Sequence, residues 1–420
     1  MNSPFKTYLW QFGKSILAVG SVIIYSRMLG SEGRGSVSVL LLYLQFGLMV
    51  TEVFTGSAMA NWFTRLPWQK LLAWLWLFPV VVLGLGIGLG FWMHFAPLAV
   101  LGWLFLQGLG LASLNIQYNI YQSQNWINRR NQLQFLLEAI KLVTVLVASW
   151  FLRDLPVQVK VLWVLRIIAG VSIMVWLISL YRTKDIWKQA LPIEKPPLNI
   201  FLEGIWAQLG QLVLFLLFRA PLWIVPIYFG MKEAGVIANA ILIADFCWIY
   251  ANSFGTVIHA RVLQSDKKNY HDRLLARYMG MSLLGTLVLC AGIGLMPQAF
   301  YVGVFGPDFM HLKHYTLHLV PAIILLSVWS TIGHYLHAVN RFKRLFLNYF
   351  VGIVIFISVV LGLKMSNFLS VEGILWGVNF GYAGIFLVHF WAVEGLFKMP
   401  LDFGSNVLLF SRLLKKIGRK

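Results

Sequence analysis

Apolar runs of about 20 residues, the length that crosses the hydrocarbon core of a bilayer, follow one another along the whole chain with short polar joints between them. They fall at roughly 5–29, 35–63, 70–93, 97–121, 131–152, 159–181, 199–229, 234–262, 274–297, 314–339, 345–364 and 372–396. Backbone N–H and C=O groups must find partners internally in lipid, and runs this long and continuous exceed barrel strands, so each is expected to be a helix. A chain that is 59% hydrophobic and 12% charged, with a mean hydropathy of +0.75, lies outside the range of soluble domains of 420 residues. The expected fold is an all-α polytopic membrane protein with twelve transmembrane helices.

A second pattern organises those spans. Leu29-Gly30-Ser31-Glu32-Gly33-Arg34-Gly35 joins the first two runs, and Phe229-Gly230-Met231-Lys232-Glu233-Ala234-Gly235 joins another two in the second half. Both joints set glycines five positions apart, and further on Gly56-Ser57 answers Gly255-Thr256 with the register slipped by one. A duplicated chain with six helices per copy gives two copies of the same orientation, related by rotation about the membrane normal, as in parallel repeats. Two six-helix lobes around a central cavity are therefore expected.

The domain reading follows: an N-terminal six-helix lobe over 1–181, a cytoplasmic linker over 182–198, a C-terminal six-helix lobe over 199–396, and a basic tail over 397–420. Lys184, Lys188, Pro192, Pro196 and Pro197 mark the linker. In the tail, Val407, Phe410, Leu413, Leu414 and Ile417 alternate at helical spacing with Arg412, Lys415, Lys416, Arg419 and Lys420, which reads equally as an interfacial helix or as a basic topogenic tail.

Most of the 34 Lys and Arg residues lie on the side of the termini, while Arg34, Arg153, Lys160, Lys232, Lys313 and Lys364 fall on the other. The positive-inside rule makes both termini cytoplasmic. The net charge of +19 is then a topology and lipid-surface signal, and no single basic domain points to nucleic acid. Cys247 and Cys290 both fall within spans and suggest neither a disulfide framework nor a metal site. No cofactor is expected, and the first apolar run is too long for a cleavable signal peptide.

Ionisable groups within spans are costly, so their helical phase carries functional information. In the first span Gln11, Lys14, Ala18, Ser21 and Tyr25 form one stripe. The seventh carries Gln208, Gln211 and Arg219, the eighth Asp245, Trp248, Asn252, Thr256 and His259, and the tenth Ser327, Ser330, His334, His337 and Arg341, all at helical spacing. Such density of amides, imidazoles and charges fits a hydrated cavity better than helix packing.

Lys14, Arg166 and Arg219 have no acid three or four residues away in their own helices, whereas Lys141 has Glu138. Unpaired cations in low dielectric favour an anionic cargo, and a diphosphate suits several of them. Pairing across helices with Glu52, Glu138 or Asp245 is the alternative. Arg219 and Lys14, then Arg166 and Lys141, are the candidate diphosphate contacts. Gln208, Gln211, Trp248 and Asn252 are candidates for meeting sugars, and Asp245, Glu52, His334 and His337 for coupling to an ion gradient.

The chain resembles the Wzx-type polysaccharide flippases, in the superfamily that also holds multidrug exporters and lipid II flippases. The resemblance covers nearly the whole length. It rests on Arg27-Met28-Leu29-Gly30-Ser31-Glu32-Gly33-Arg34-Gly35, similar to the family's Arg-x-Leu-Gly-Pro-Glu-Gly-x-Gly, and on Gly56-Ser57-Ala58. In the second copy it rests on Phe218-Arg219, Phe229-Gly230, Gly235, Ala244 to Trp248, Asn252 to Val257, Arg261-Val262, Phe305 to Phe309 and His337 to Arg341. The chain departs from the family in having Pro221 where an acid is common and Ala260 where a proline is, while Asp245 stands where glutamate is usual.

The resemblance implies a non-enzymatic flippase in a bacterial cytoplasmic (inner) membrane. It would turn an undecaprenyl-diphosphate-linked oligosaccharide from inner to outer leaflet by alternating access, for surface polysaccharide biosynthesis. Its partners would be that lipid-linked oligosaccharide, membrane lipids, and polymerase and chain-length proteins of the same pathway. Two other classes compete. Ion-coupled export of a small molecule is disfavoured for cationic drugs by the many cations, and a membrane polymerase is disfavoured by short outer joints that place no acid–base pair.

Overall fold

The computed structural model describes residues 4–55, 71–124, 126–182, 198–262, 268–339 and 341–392. Every regular element among them is helical: α1 (Pro4–Thr55), α2 (Leu72–Trp92), α3 (Leu98–Ser123), α4 (Ile127–Phe151), α5 (Val157–Arg182), α6 (Leu198–Val262), α7 (Lys268–Leu295), the short α8 (Gln298–Phe305), a 3₁₀ turn (Pro307–Phe309), α9 (Leu312–Ala338), α10 (Phe342–Met365) and α11 (Val371–Ala392). Gly56, Ser57, Ala58, most of the expected linker and the whole basic tail lie outside the described residues.

Ten of these helices are long and apolar enough to cross a membrane. The sequence predicts twelve spans; the difference lies in α1 and α6, whose apolar segments Leu9–Val53 and Gln208–His259 run 45 and 52 residues as single helices. About 20 residues suffice to cross, and each of the two is broken once, at Gly30 (φ 67°) and at Gly230 (φ 87°). A left-handed backbone is open to glycine without steric cost. The duplicated joint is thus a turn built around the same glycine in both copies.

Large apolar side chains face outward along these helices, among them Leu85, Val143, Leu146, Trp150 and Leu295. Trp150 is 83% exposed. Apolar surface on this scale is stable in hydrocarbon and would aggregate in water.

The chain packs as two compact units. The first comprises Met1–Leu212, Leu222–Ala238 and Val302–Phe309, the second Val213–Pro221, Asn239–Tyr301 and Met310–Lys420. The segment around Gly230 therefore belongs with the N-terminal helices, and a local contact explains why. A Cβ on Gly35 would overlap the Met231 carbonyl, and a Cβ on Gly235 would overlap the Ser31 carbonyl. Ser31 and Met231 hold the same place in the two joints, so the contact is reciprocal and backbone meets backbone. Asp308 closes the same region: its Oδ2 accepts a 3.4 Å bond from the Ser31 N–H, and Arg27 donates to the Gly303 carbonyl.

Elsewhere in the first unit small residues let helices approach, the usual device when hydrophobicity cannot drive association in lipid. Gly13 and Gly20 on α1 face Phe135 and Leu142 on α4. Arg34, in the first of the repeated joints, is buried, its guanidinium 5.1 Å from the Tyr25 ring centre.

In the second unit α9 carries Pro321 inside the helix, and proline supplies no ladder N–H. The amide of Asn379 on α11 is inserted here, accepting from Ala322 N–H at 2.9 Å and donating to the His318 carbonyl at 2.8 Å. Trp329, Tyr349, Tyr382 and His389 stack beside it as a buried aromatic core.

Candidate functional site

The predicted charged residues separate into two arrangements, one per unit. In the first, the close approach of α1 and α4 brings Lys14 into the electrostatic field of Glu138, Arg130 and Lys141. Glu138 and Lys141, three apart on α4, form an ion pair. Gln11, one turn before Lys14, donates to Asn131 Oδ1 and Gln134 Oε1, each at 3.2 Å. From α3, Tyr118 adds a phenol to the same field as Glu138 and Arg130.

Lys14 and Lys141 thus share one carboxylate, Glu138, while Arg130 lies in the field of Lys14 and Tyr118. Beside these charges Tyr118 Oη, which can donate or accept, the donor Asn131 Nδ2 and, beyond its ion pair with Lys141, the acceptor Glu138 Oε2 are buried without hydrogen-bond partners. Buried cations in excess of carboxylates are expensive in low dielectric. The arrangement is complementary to an anion rich in acceptor oxygens.

Arg130 and Tyr118 are not among the candidates that sequence alone offers. Arg130 stands in the first turn of α4 beside Arg129 and reads as a topogenic charge, and a lone tyrosine carries no periodic signal. Only the α1–α4 approach through Gly13 and Gly20 reveals them. The rest of the α1 stripe is sealed into the unit: Ser21 donates to the Leu17 carbonyl at 3.0 Å, and Tyr25 packs in a core with Leu29, Val37 and Val145.

The second unit neutralises its arginine. Arg219 Nη2 donates to Asp245 Oδ2 at 2.7 Å, and both side chains are largely buried. Phe218 lies beside this pair, with Trp248 at 6.2 Å and Tyr382 at 6.3 Å between ring centres. Arg219, expected to be an unpaired cation, is therefore matched by the acid from the eighth run, the cross-helix alternative. Trp248 Nε1 remains buried without a hydrogen-bond partner.

Toward the end of α6 a histidine group gathers. His334 Nε2 bonds Asn252 Oδ1 at 2.7 Å, and the His259 and His337 rings lie 5.4 Å apart. A Cβ on Gly255 would overlap the His334 imidazole, so this glycine makes its room. Glu52, the remaining coupling candidate, belongs to the first unit and accepts from Asn115 Nδ2 at 3.1 Å.

Of the sugar candidates, Asn252 is held by His334 and Trp248 stands near Arg219, both in the second unit. Gln208 is buried in the first unit with its Oε1 unpartnered, and Gln211 is half-buried there. Arg166 joins neither charged group. It lies over two indoles, 5.0 Å from the Trp163 ring centre and 5.7 Å from that of Trp103. Among the described residues no group of three or more His, Cys, Asp or Glu side chains is placed to hold a metal ion, and Cys247 and Cys290 are buried free thiols.

No family profile and no curated protein sequence matches the chain. Solved structures do. The MATE multidrug transporter DinF-BH aligns with a TM-score of 0.71 at 13% identity, over 94% of this chain and 96% of that one. An inward-facing MATE family transporter of the MOP superfamily gives 0.68 at 13% identity, over 96% of each chain. The lipid II flippase MurJ in an inward closed conformation gives 0.68 at 12% identity, over 97% of this chain and 92% of that one. At such identities the likeness is one of fold, and this chain shares the fold of these solved transporters.

Proposed function

We propose that the protein flips an anionic, diphosphate-linked oligosaccharide lipid, of the undecaprenyl type, across a bacterial cytoplasmic membrane, with both termini on the cytoplasmic side. The observation that supports this reading is the charge balance in the first unit: Lys14 and Lys141 against the one carboxylate of Glu138, with Arg130 in the same field and Tyr118 Oη and Asn131 Nδ2 buried without hydrogen-bond partners. A diphosphate supplies acceptor oxygens and negative charge together, and binds cations and neutral donors alike.

A sugar diphosphate does not cross hydrocarbon unaided. A hydrated, cationic path shields it while the polyprenyl tail stays in lipid, and the duplicated sequence suits alternating access. Lys14 and Arg130 hold the diphosphate, with Lys141 tempered by Glu138. Arg219, bound to Asp245, serves as a structural pair. Trp248 and Gln208 offer indole N–H and amide oxygen to sugar hydroxyls. His334 and His337 remain the groups for loading a proton in exchange, and polymerase and chain-length proteins are the partners expected to receive the product.

A second reading, ion-coupled export of a small molecule, draws on the equally close fold of MATE transporters. One experiment separates the two. Proteoliposomes are given a fluorescent undecaprenyl-diphosphate oligosaccharide or a cationic dye, and movement of each is followed. The first reading expects the lipid to cross and the dye not; dye transport with a stationary lipid overturns it.

A further inference from the structure

A cation lies apart from both charged groups. Arg166, nine residues into α5, is half-buried against the faces of Trp103 and Trp163. Those contacts engage the guanidinium through π faces and leave its N–H edge unused. Its Nε is buried without a hydrogen-bond partner, and no carboxylate pairs with it among the described residues.

The same face continues down the helix as open apolar surface. Gly170, one turn on, is exposed, and a Cβ there would meet nothing within 4 Å. Met174, Leu177 and Tyr181 follow at helical spacing and are 41%, 53% and 73% exposed. From Arg166 to Tyr181 the track runs about 22 Å at 1.5 Å per residue. A leaflet's hydrocarbon is about 15 Å deep, half of the core, so the track outreaches one leaflet.

We propose that Arg166, Trp103 and Trp163, with the Gly170–Met174–Leu177–Tyr181 face, form a binding site for the phosphate and long isoprenoid chain of a polyprenyl phosphate. The guanidinium fork receives phosphate oxygens in bidentate fashion. The indoles hold the fork in place through their faces. Gly170 leaves the space for the first isoprene units, and the chain follows the track past the midplane, farther than a diacyl lipid's tails extend. The site extends the flippase reading by giving the carrier lipid a second hold, away from the Lys14 group.

Native mass spectrometry of the full-length protein, released from nanodiscs holding equal amounts of a C55 polyprenyl phosphate and phosphatidylglycerol, tests this. The expected result is a retained polyprenyl phosphate adduct on the wild type, reduced at least five-fold in Arg166→Gln, reduced less in Arg166→Lys, and kept in Lys14→Gln. On the wild type alone, farnesyl phosphate should compete at least ten-fold less well than the C55 lipid, a comparison that needs no variant to fold. Equal retention by Arg166→Gln, equal competition by the short chain, or displacement by phosphatidylglycerol would overturn the proposal. None of these readings involves flipping, so a loss of transport with the adduct intact leaves this site standing and removes only the flippase reading.

Discussion

The two copies agree in backbone and differ in charge. Gly30 and Gly230 break their helices with the same left-handed turn, and Gly35 and Gly235 meet the opposite joint reciprocally. The first copy, however, sets two lysines, Lys14 and Lys141, against one carboxylate, whereas the second matches its arginine with an aspartate. Packing constraints hold both copies to one geometry, because a close backbone contact tolerates no side chain. Charge is under no such constraint, and the copies differ in how their cations are matched. Positions equivalent by packing should respond alike to substitution, and positions equivalent by charge should not.

The largest effect is expected from reversing the balance of the first copy. Lys14→Glu sets a second carboxylate beside Glu138 and should reduce lipid-linked oligosaccharide flipping by about 100-fold or more, the scale of ~3 kcal/mol for a lost charged contact turned repulsive. Initial rates in proteoliposomes measure it. Flipping within two-fold of wild type would break the contrast between the copies.

In the second copy the same kind of change should act on stability. Asp245→Ala strands a largely buried guanidinium and should cost about 2–3 kcal/mol, a discounted form of the usual penalty because both side chains keep some exposure. Pairing it with Arg219→Leu should recover most of the loss. Thermal unfolding in detergent of both single variants and the double variant completes the cycle; additive losses would mean that the pair does not act as a unit.

Gly35→Ala and Gly235→Ala sharpen the packing side. Each forces a methyl group against a carbonyl of the opposite joint and should cost about 1–3 kcal/mol, as overpacking does. The two losses should be similar, measured by the same unfolding assay, and a large inequality would show that the reciprocal contact is not maintained.

The smallest effect is expected at Gly255→Ala, which pushes against the His334 ring and its bond to Asn252. A cost of about 1 kcal/mol fits the loss of one hydrogen bond with some relief by movement of the imidazole. Its unfolding midpoint should fall less than those of the Gly35 and Gly235 variants.

Much of this architecture is legible in sequence because lipid leaves few alternatives to a long apolar run. The breaks at Gly30 and Gly230 can be read from the repeated joint. That α1 and α6 run through those joints as broken helices is less visible, since the polar residues of a joint look like loop in either case. At the site, the i,i+3 pair Glu138–Lys141 is legible within one helix. The Arg219–Asp245 pair spans 26 residues, and single-helix periodicity cannot choose between a paired and an unpaired arginine there. Arg130 is hidden for a different reason: its neighbours come from α1 and α3, and a basic residue at a helix end already has a topological explanation.

The claim that matters most is that the first copy's cation excess, and not the second copy's neutral pair, holds the diphosphate. Flipping of a lipid-linked oligosaccharide should be compared, per folded protein, between Lys14→Gln/Arg130→Gln and Arg219→Gln/Asp245→Asn. The account predicts at least a 30-fold loss in the former and less than a three-fold loss in the latter. Equal losses, or the larger loss in the Arg219 and Asp245 variant, would contradict it.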